Sequence, residues 1–295
     1  MSSASDQGQN LLVLGASGML GSAVFKALRE ATFWNVAGTQ NNASSAPGYM
    51  DLITMDPNDW KAILQSRPYH YVVNCIGILK TAVNEKDSAS LRRAILVNAL
   101  FPHQLAEALP EARIIHMSTD GVFSGASRNP YLETHDTDCV DAYGKSKALG
   151  ECPARNVLNI RCSIIGKDPI GHKGLIEWAL GSAPGSELAG FDDQLWNGVS
   201  TTQFAQLCKR IFESDSFVCL RAASSIYHFC PNPPVTKYEL LCLIREACGR
   251  SIAIRKTASG GRRSIVLGTA FGQLRDLYPD CPDWLRVLRE ALDES

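Results

Sequence analysis

A chain of 295 residues that is 45% hydrophobic can bury a sizeable core, as one large domain or two unequal ones. Its formal net charge of −1 leaves no electrostatic footprint for nucleic acid or an anionic membrane, and no apolar run is long enough to span a bilayer. Residues 1–10 are polar and small, without the basic start and apolar centre of a signal peptide; a frayed tail is expected. Leu11 to Leu14 then reads as a buried strand, and 18–30 as a helix with Leu20, Val24 and Leu28 on one face. A second strand is expected at 34–38, a helix opening on Asp56-Pro57 and running to 64, and a third strand at 70–75. A long helix is expected over 88–109, bent by Pro102, then a strand at 113–117, a helix over 140–152 and a strand at 157–160. Past 166 the pattern loosens. Helices fit 174–180, 202–213, 236–248 and 282–292, and strands fit 226–229 and 252–255.

Short apolar strands alternating with helices imply βαβ units and a parallel sheet covered on both faces. The fold class expected is α/β, a doubly wound parallel sheet of Rossmann type. A dinucleotide-binding domain is assigned to 10–166, and a smaller, partly interleaved α/β substrate-binding region to 167–295.

Gly15, Gly18 and Gly21 follow G-x-x-G-x-x-G directly after the first strand and open the first helix. Gly15 allows the tight turn, Gly18 lets the backbone approach a pyrophosphate, and Gly21 permits close helix packing; the phosphates rest on the helix N-terminus. The second strand runs into Gly38-Thr39-Gln40-Asn41-Asn42 with no carboxylate for a ribose 2′-hydroxyl and no arginine for a 2′-phosphate. The cofactor is expected to be NADP(H) rather than NAD(H), on the missing acid alone. Asp51 and Leu52 suit the adenine end, Asp51 being equally readable as a solvated turn carboxylate.

Tyr143 and Lys147 stand four residues apart on one helical face, a spacing at which an ammonium lowers a phenol's pKa toward neutrality. Ser118 and Thr119 leave the fourth strand at its C-terminal edge, where open α/β sheets bind ligands, and Asn74-Cys75-Ile76-Gly77 ends the third. The ten cysteines contain no Cys-x-x-Cys and the six histidines no ligand spacing, so no metal is expected. Reduced thiols in a cytoplasmic protein are the simplest reading. Trp178 and Trp196 suit either stacking on a base or sugar or packing in the core. Arg255, Lys256, Arg262 and Arg263 suit a solvated basic loop or a diphosphate grip.

These motifs, with Asn98, Ser118 to Gly125, Leu158 to Ser163, Gly174 to Trp178, Asn197 to Thr202 and Lys237 to Leu241, resemble the extended short-chain dehydrogenase/reductases. Within them they are similar to the dTDP-4-dehydrorhamnose reductase family of nucleotide-sugar reductases. The resemblance implies reduction of the 4-keto group of a dTDP-like 4-keto-6-deoxy sugar, for polysaccharide or deoxysugar biosynthesis. In it Tyr143 is the acid, Lys147 lowers the phenol's pKa and holds the nicotinamide ribose, and Thr119, or Ser118, binds the reacting oxygen. It assigns Gly15, Ser17, Gly18, Met19, Leu20, Asp51, Leu52, Cys75, Ile76, Gly77, Asn98, Tyr143, Lys147 and Arg161 to the cofactor. Asp120, Gly121, Trp178, Trp196 and Thr201 are assigned to the sugar nucleotide, and a homodimer stays an option. Gly121 stands where the family carries a larger side chain, which implies a wider sugar pocket. Two alternatives stay open. One is an epimerase or dehydratase of the same superfamily, disfavoured by the lack of an Asp-Glu pair after Thr119. The other is a binding role like that of the regulatory β subunit of methionine adenosyltransferase.

Overall fold

A computed structural model describes residues 8–31, 33–39, 57–65, 67–169, 174–183 and 185–293. The tail 1–7, Gln40 to Asn42, Asp51, Leu52 and Asp56 lie outside the described residues. β1 (Gln9–Leu14) sends Leu11 and Val13 to one face of the sheet and Leu12 and Leu14 to the other, and all four are fully buried. That is why the strand reads as a continuous apolar run. α1 (Met19–Arg29), β2 (Trp34–Gly38), α2 (Pro57–Gln65) and β3 (Tyr71–Asn74) follow.

α3 (Ser88–Ala94) is capped by the Asp87 carboxylate, which accepts from Ala89 and Ser90 amides. It runs without a break into a π-helical stretch, Ile95–Leu100, and then α4 (Phe101–Ala108). The long helix expected over 88–109 is thus present as one continuous run, and its irregularity is a widened turn that includes Asn98. Pro102 follows the π-helical stretch by two residues and stands at the start of α4.

β4 (Arg113–Met117), α5 (Ala142–Leu149) and β5 (Val157–Arg161) complete the first half. The second half holds β6 (Ile164–Ile165), α6 (Leu175–Leu180), β7 (Glu187–Phe191), β8 (Gln194–Trp196), β9 (Val199–Ser200), α7 (Thr201–Glu213) and α8 (Phe217–Ala223). β10 (Ile226–His228), β11 (Val235–Thr236), α9 (Lys237–Ala247), β12 (Ala253–Thr257), β13 (Arg263–Ile265), α10 (Gln273–Leu277) and α11 (Trp284–Leu292) close it.

The main sheet has the order β10-β5-β4-β3-β1-β2, every pair parallel. The doubly wound α/β fold expected from the sequence is thus what the chain adopts. From β1 the chain steps to β2 on one side and to β3 on the other, which opens a crevice beyond their C-terminal ends. α1 and α7 cover one face in a common apolar cluster, α7 supplying the fully buried Phe204, Leu207 and Ile211. Trp60, Leu64 and Leu105 cover the other face. So α7 and β10, from the second half, belong to the first layer. A separate cluster of Ile176, Leu240, Ile244, Trp284 and Leu288 supports the small sheets β11-β8-β13, β12-β7 and β6-β9. The strands of two or three residues in that region show no periodicity to read, and α8 is seven residues long.

α5 is wedged between two backbones at two glycines. A Cβ on Gly144 would stand 2.4 Å from the Gly121 carbonyl oxygen, and one on Gly150 would stand 1.9 Å from that of Asn98. We expect Gly150→Ala to push α5 off the π-helical stretch and lower stability by about 1–3 kcal/mol in urea unfolding, the ordinary cost of overpacking. An unchanged midpoint and slope would mean this contact does not hold α5 in place.

Candidate active site

The glycine turn makes a cradle at the C-terminal end of β1. Gly15 takes a φ of +76°, a left-handed conformation that side chains resist, and its oxygen accepts the Gly18 amide at 3.0 Å. A Cβ on Gly21 would stand 2.0 Å from the Gly15 oxygen, so only glycine lets α1 start this close to the turn. Gly18 caps α1 without a side-chain bond, leaving the first amides of an eleven-residue helix to face an anion. Thr39, at the end of β2 where an acid would bind a ribose, spends its hydroxyl accepting the Gly15 amide at 3.0 Å. Across the crevice the exposed Gly77 leaves its space open, with the nearest atoms Asn98 Oδ1 at 3.6 Å and Lys147 Nζ at 3.8 Å from where a Cβ would be. These surfaces line a cavity of about 490 Å³ that includes Gly18, Met19, Leu20, Cys75, Ile76, Gly77, Ser118, Thr119, Tyr143 and Lys147. A trough with an uncapped helix end at one side and an ammonium at the other fits a dinucleotide.

Asn98 does not line this cavity. It accepts the Ile78 amide at 2.7 Å and donates to the Ile78 carbonyl at 3.1 Å and the Ser146 hydroxyl at 3.1 Å. The widened turn thereby ties the loop after β3 to α5. Asp141 caps α5 by accepting the Gly144 amide at 2.8 Å and pairs with Lys80 at 2.7 Å.

Tyr143 and Lys147 leave α5 in different directions. The Lys147 ammonium, 4% exposed, donates to the Met117 carbonyl at 2.6 Å. Burial pulls it down to about 8, against the Glu151 carboxylate, which raises it. The Tyr143 ring lies over Gly121, whose Cβ would stand 3.1 Å from Cε1, and its phenol shares a hydrogen bond with Thr119. Burial pushes the phenol up to about 12; the Thr119 bond opposes this, while Asp120 and Asp141 add to it. The expected lowering of the phenol by Lys147 is corrected accordingly: the ammonium is spent on the strand, and the phenol feels burial and carboxylates. The Thr119 hydroxyl accepts the Gly121 amide at 3.0 Å and donates to Asp120 at 3.3 Å, capping a short 3-10 turn, Asp120–Val122. Burial raises Asp120 to about 6, with Thr119 and Arg263 opposing. Ser118 faces away from this cluster and donates to Glu151 at 2.7 Å.

A second cavity of about 340 Å³ adjoins the first, and Met19, Lys80, Thr119, Tyr143, Ser163 and Ile164 line both. Asp120, Gly121 and Trp196 line it, with Trp196 stacked on Trp284 at 5.4 Å. The space beside Gly121 is filled by the Tyr143 ring, so the glycine does not by itself open the wider pocket expected there. Trp178 is half exposed on α6, and Thr201 is buried against Gly166; neither lines the cavity. Arg161 lines neither cavity, its guanidinium being 3% exposed in a bidentate pair with Glu151. Gly15 and Ser17 are partly exposed and do not line the cavity. Arg255 and Lys256 pair with Glu187 and Asp192 at the surface, while Arg263 reaches the second cavity.

Sequence reasoning did not single out Lys80, Gln194 or Lys237 as cavity residues, nor Glu151 as a hub. For Glu151 a signal existed, since it extends the Tyr143, Lys147 spacing by four more residues. Among the described residues no His, Cys, Asp and Glu cluster could hold a metal, all ten cysteines are free thiols, and no helix could cross a membrane.

A family model described as RmlD substrate binding domain matches residues 9–259. Methionine adenosyltransferase 2 subunit beta of Danio rerio is 27% identical over 247 residues, 81% of this chain and 74% of that protein. A probable dTDP-4,6-dihydroxy-2-methyloxan-3-one 4-ketoreductase of Streptomyces antibioticus is 36% identical over 143 residues, 48% of this chain and 44% of that one. The solved dTDP-4-dehydrorhamnose reductase of Bacillus anthracis, in complex with NADP, has a TM-score of 0.78 over 100% of both chains at 17% identity, a likeness of fold. With the family model spanning nearly the whole sheet and most of the second half, the chain belongs to the RmlD substrate-binding domain family of the extended short-chain dehydrogenase/reductases.

Proposed function

We propose that the protein reduces the 4-keto group of a nucleotide-linked 4-keto-6-deoxy sugar with NADPH, or less readily NADH. The observation that carries this reading is the shared wall: Thr119 and Tyr143 stand where the dinucleotide-shaped cavity meets the second one. When bound, the dinucleotide supplies a hydride to the keto carbon and leaves oxidised. The protein's part is to place the carbonyl and protonate it. The Thr119 hydroxyl orients the carbonyl oxygen. A phenol pushed up to about 12 is protonated at neutral pH, so Tyr143 can give its proton to the oxygen as negative charge develops there. Lys147 and the amides of α1 hold the dinucleotide. In the second cavity Lys80, Lys237 and Arg263 supply positive charge for a diphosphate, beside the apolar Leu195, Trp196 and Ile265. The proposed setting is the cytoplasm, with a nucleotide sugar as the small-molecule partner.

A second reading is a binding subunit without turnover. It is favoured by the methionine adenosyltransferase subunits among the relatives matched over 81% of this chain, which stand beside a spore coat polysaccharide biosynthesis protein matched over 83%. The two are separated by incubating the protein with NADPH or NADH and dTDP- and UDP-linked 4-keto-6-deoxy sugars while following the absorbance of the reduced cofactor. Cofactor binding without oxidation on any sugar would overturn the reductase reading.

Two variants test the assigned roles. Tyr143→Phe is expected to lower turnover by about 10²–10⁴-fold, the usual worth of a positioned acid, with cofactor affinity within about twofold of wild type. Thr119→Val is expected to lower turnover by about 10²-fold, as loss of one donor to a developing oxyanion does. Wild-type rates in either variant would remove that residue from the mechanism.

A further inference from the structure

Of the described residues that line both cavities, Lys80 is the one that brings a full charge. The other cations are divided, Lys147 lining the first cavity and Lys237 and Arg263 the second. Lys80 stands on a short turn between two anchors. On one side Ile78 is bonded to Asn98 through its amide at 2.7 Å and its carbonyl at 3.1 Å. On the other, the Ala82 carbonyl accepts the Ser90 hydroxyl at 3.3 Å, and the Asn84 amide donates to that hydroxyl at 2.9 Å. Between them the 3-10 turn Lys80–Ala82 leaves the Lys80 side chain 53% exposed. Its ammonium is bonded to Asp141 Oδ2 at 2.7 Å. Asp141 has a separate task in Oδ1, which caps α5 by accepting the Gly144 amide at 2.8 Å. The Ala142 amide also donates to Glu85 Oε1 at 2.6 Å, a second hold on the start of the helix. The ion pair can therefore open without unseating α5. An exposed lysine–carboxylate pair is worth little, whereas a phosphate oxygen offers the ammonium a charge-assisted bond.

We propose that Lys80 is a phosphate-binding residue shared by the two cavities, held in reserve by Asp141, and that its release couples the binding of the dinucleotide and of the sugar nucleotide. This role rests on the reading that the first cavity takes NAD(P)(H) and the second a nucleotide sugar. Whichever anionic ligand enters first draws the ammonium off Asp141 and orders its flexible stem. The second ligand then meets a cation already released, so opening the pair costs free energy once for the two. A lysine fixed in place would act differently. Its attraction for each ligand would simply add, and neither ligand would change the other's affinity through it.

The test is a calorimetric titration with dTDP, which has no keto group to reduce, with and without saturating NADPH. It is run on wild type, Lys80→Met and Asp141→Asn, with circular dichroism melts to confirm folding. The factor by which NADPH changes dTDP affinity is expected to be about 2–5-fold more favourable in wild type than in either variant, the worth of one exposed ion pair. By reciprocity dTDP changes NADPH affinity by the same factor. Lys80→Met should also weaken each ligand alone, by roughly 3–10-fold, as loss of a solvent-screened charge-assisted bond does. Asparagine caps a helix as well as aspartate, so Asp141→Asn keeps α5 in place and frees Lys80 in advance. Each ligand alone should then bind at least as tightly as it does to wild type. A pair with a structural role only would give weaker binding in both variants, and that result overturns the proposal. Equal coupling in wild type and Lys80→Met overturns it too, as does a Lys80→Met variant that weakens one ligand and not the other. Failure of wild type to bind NADPH and NADH, or dTDP and UDP, would instead overturn the reading of that cavity, and the shared role with it.

Discussion

The arrangement of the cleft depends on one buried charge. An ammonium withdrawn from water is costly unless it is paired or bonded, and Lys147 is 4% exposed. Its environment is built to keep it there. The Met117 carbonyl lies free for it because β4 ends at that residue and turns away into Ser118-Thr119. Gly144 and Gly150 let α5 come close enough for the ammonium to reach the strand, and Asp141 fixes where the helix begins. Asn98, held in a π-helical turn, ties α5 to the loop that forms the opposite wall of the cavity. Widened turns of this kind are uncommon inside helices and recur at functional sites, because they turn a side chain out of its regular direction. Here the turned side chain spends its amide on two segments at once.

What was legible in the sequence followed periodicity and glycine. β1 could be read because both its faces are buried, and the turn after it because Gly15, Gly18 and Gly21 each answer a separate steric demand. The α5 face could be read because i and i+4 stack. The direction its side chains take beyond the Cβ could not. Tyr143 turns to Thr119 and Lys147 to Met117, and that divergence depends on how β4 and the Asp120–Val122 turn sit beneath the helix. Arg161 shows the same limit: a motif position places it on β5, but only the fold shows its guanidinium spent on Glu151. The second cavity was the least legible part. The strands in its walls are two or three residues long, and Gln194, Lys237 and Arg263 meet there through β8, α9 and β13. Such short strands carry no alternation to count, and their pairing is set by a common apolar cluster beneath them.

The cleft has two layers of different chemical character. The dinucleotide cradle is largely backbone: a positive φ at Gly15, helix amides and an open Gly77. A cradle of that kind serves binding and catalysis equally, since it asks for shape and a helix end rather than reactive groups. The wall between the cavities is made of reactive side chains. Thr119, Asp120 and Tyr143 are packed together with their polar atoms on one another, the carboxyl raised to about 6 and the phenol to about 12. Polar groups held with displaced pKa values in a buried cluster cost stability, and a cleft that only bound a dinucleotide would gain nothing from them. An apolar wall of the same volume would be the cheaper structure. The place of this cluster at the junction of the two cavities is what the proposed reaction rests on. At Gly121 a Cβ would stand 3.1 Å from the phenol ring, so a side chain there would ask the ring to shift by a few tenths of an ångström.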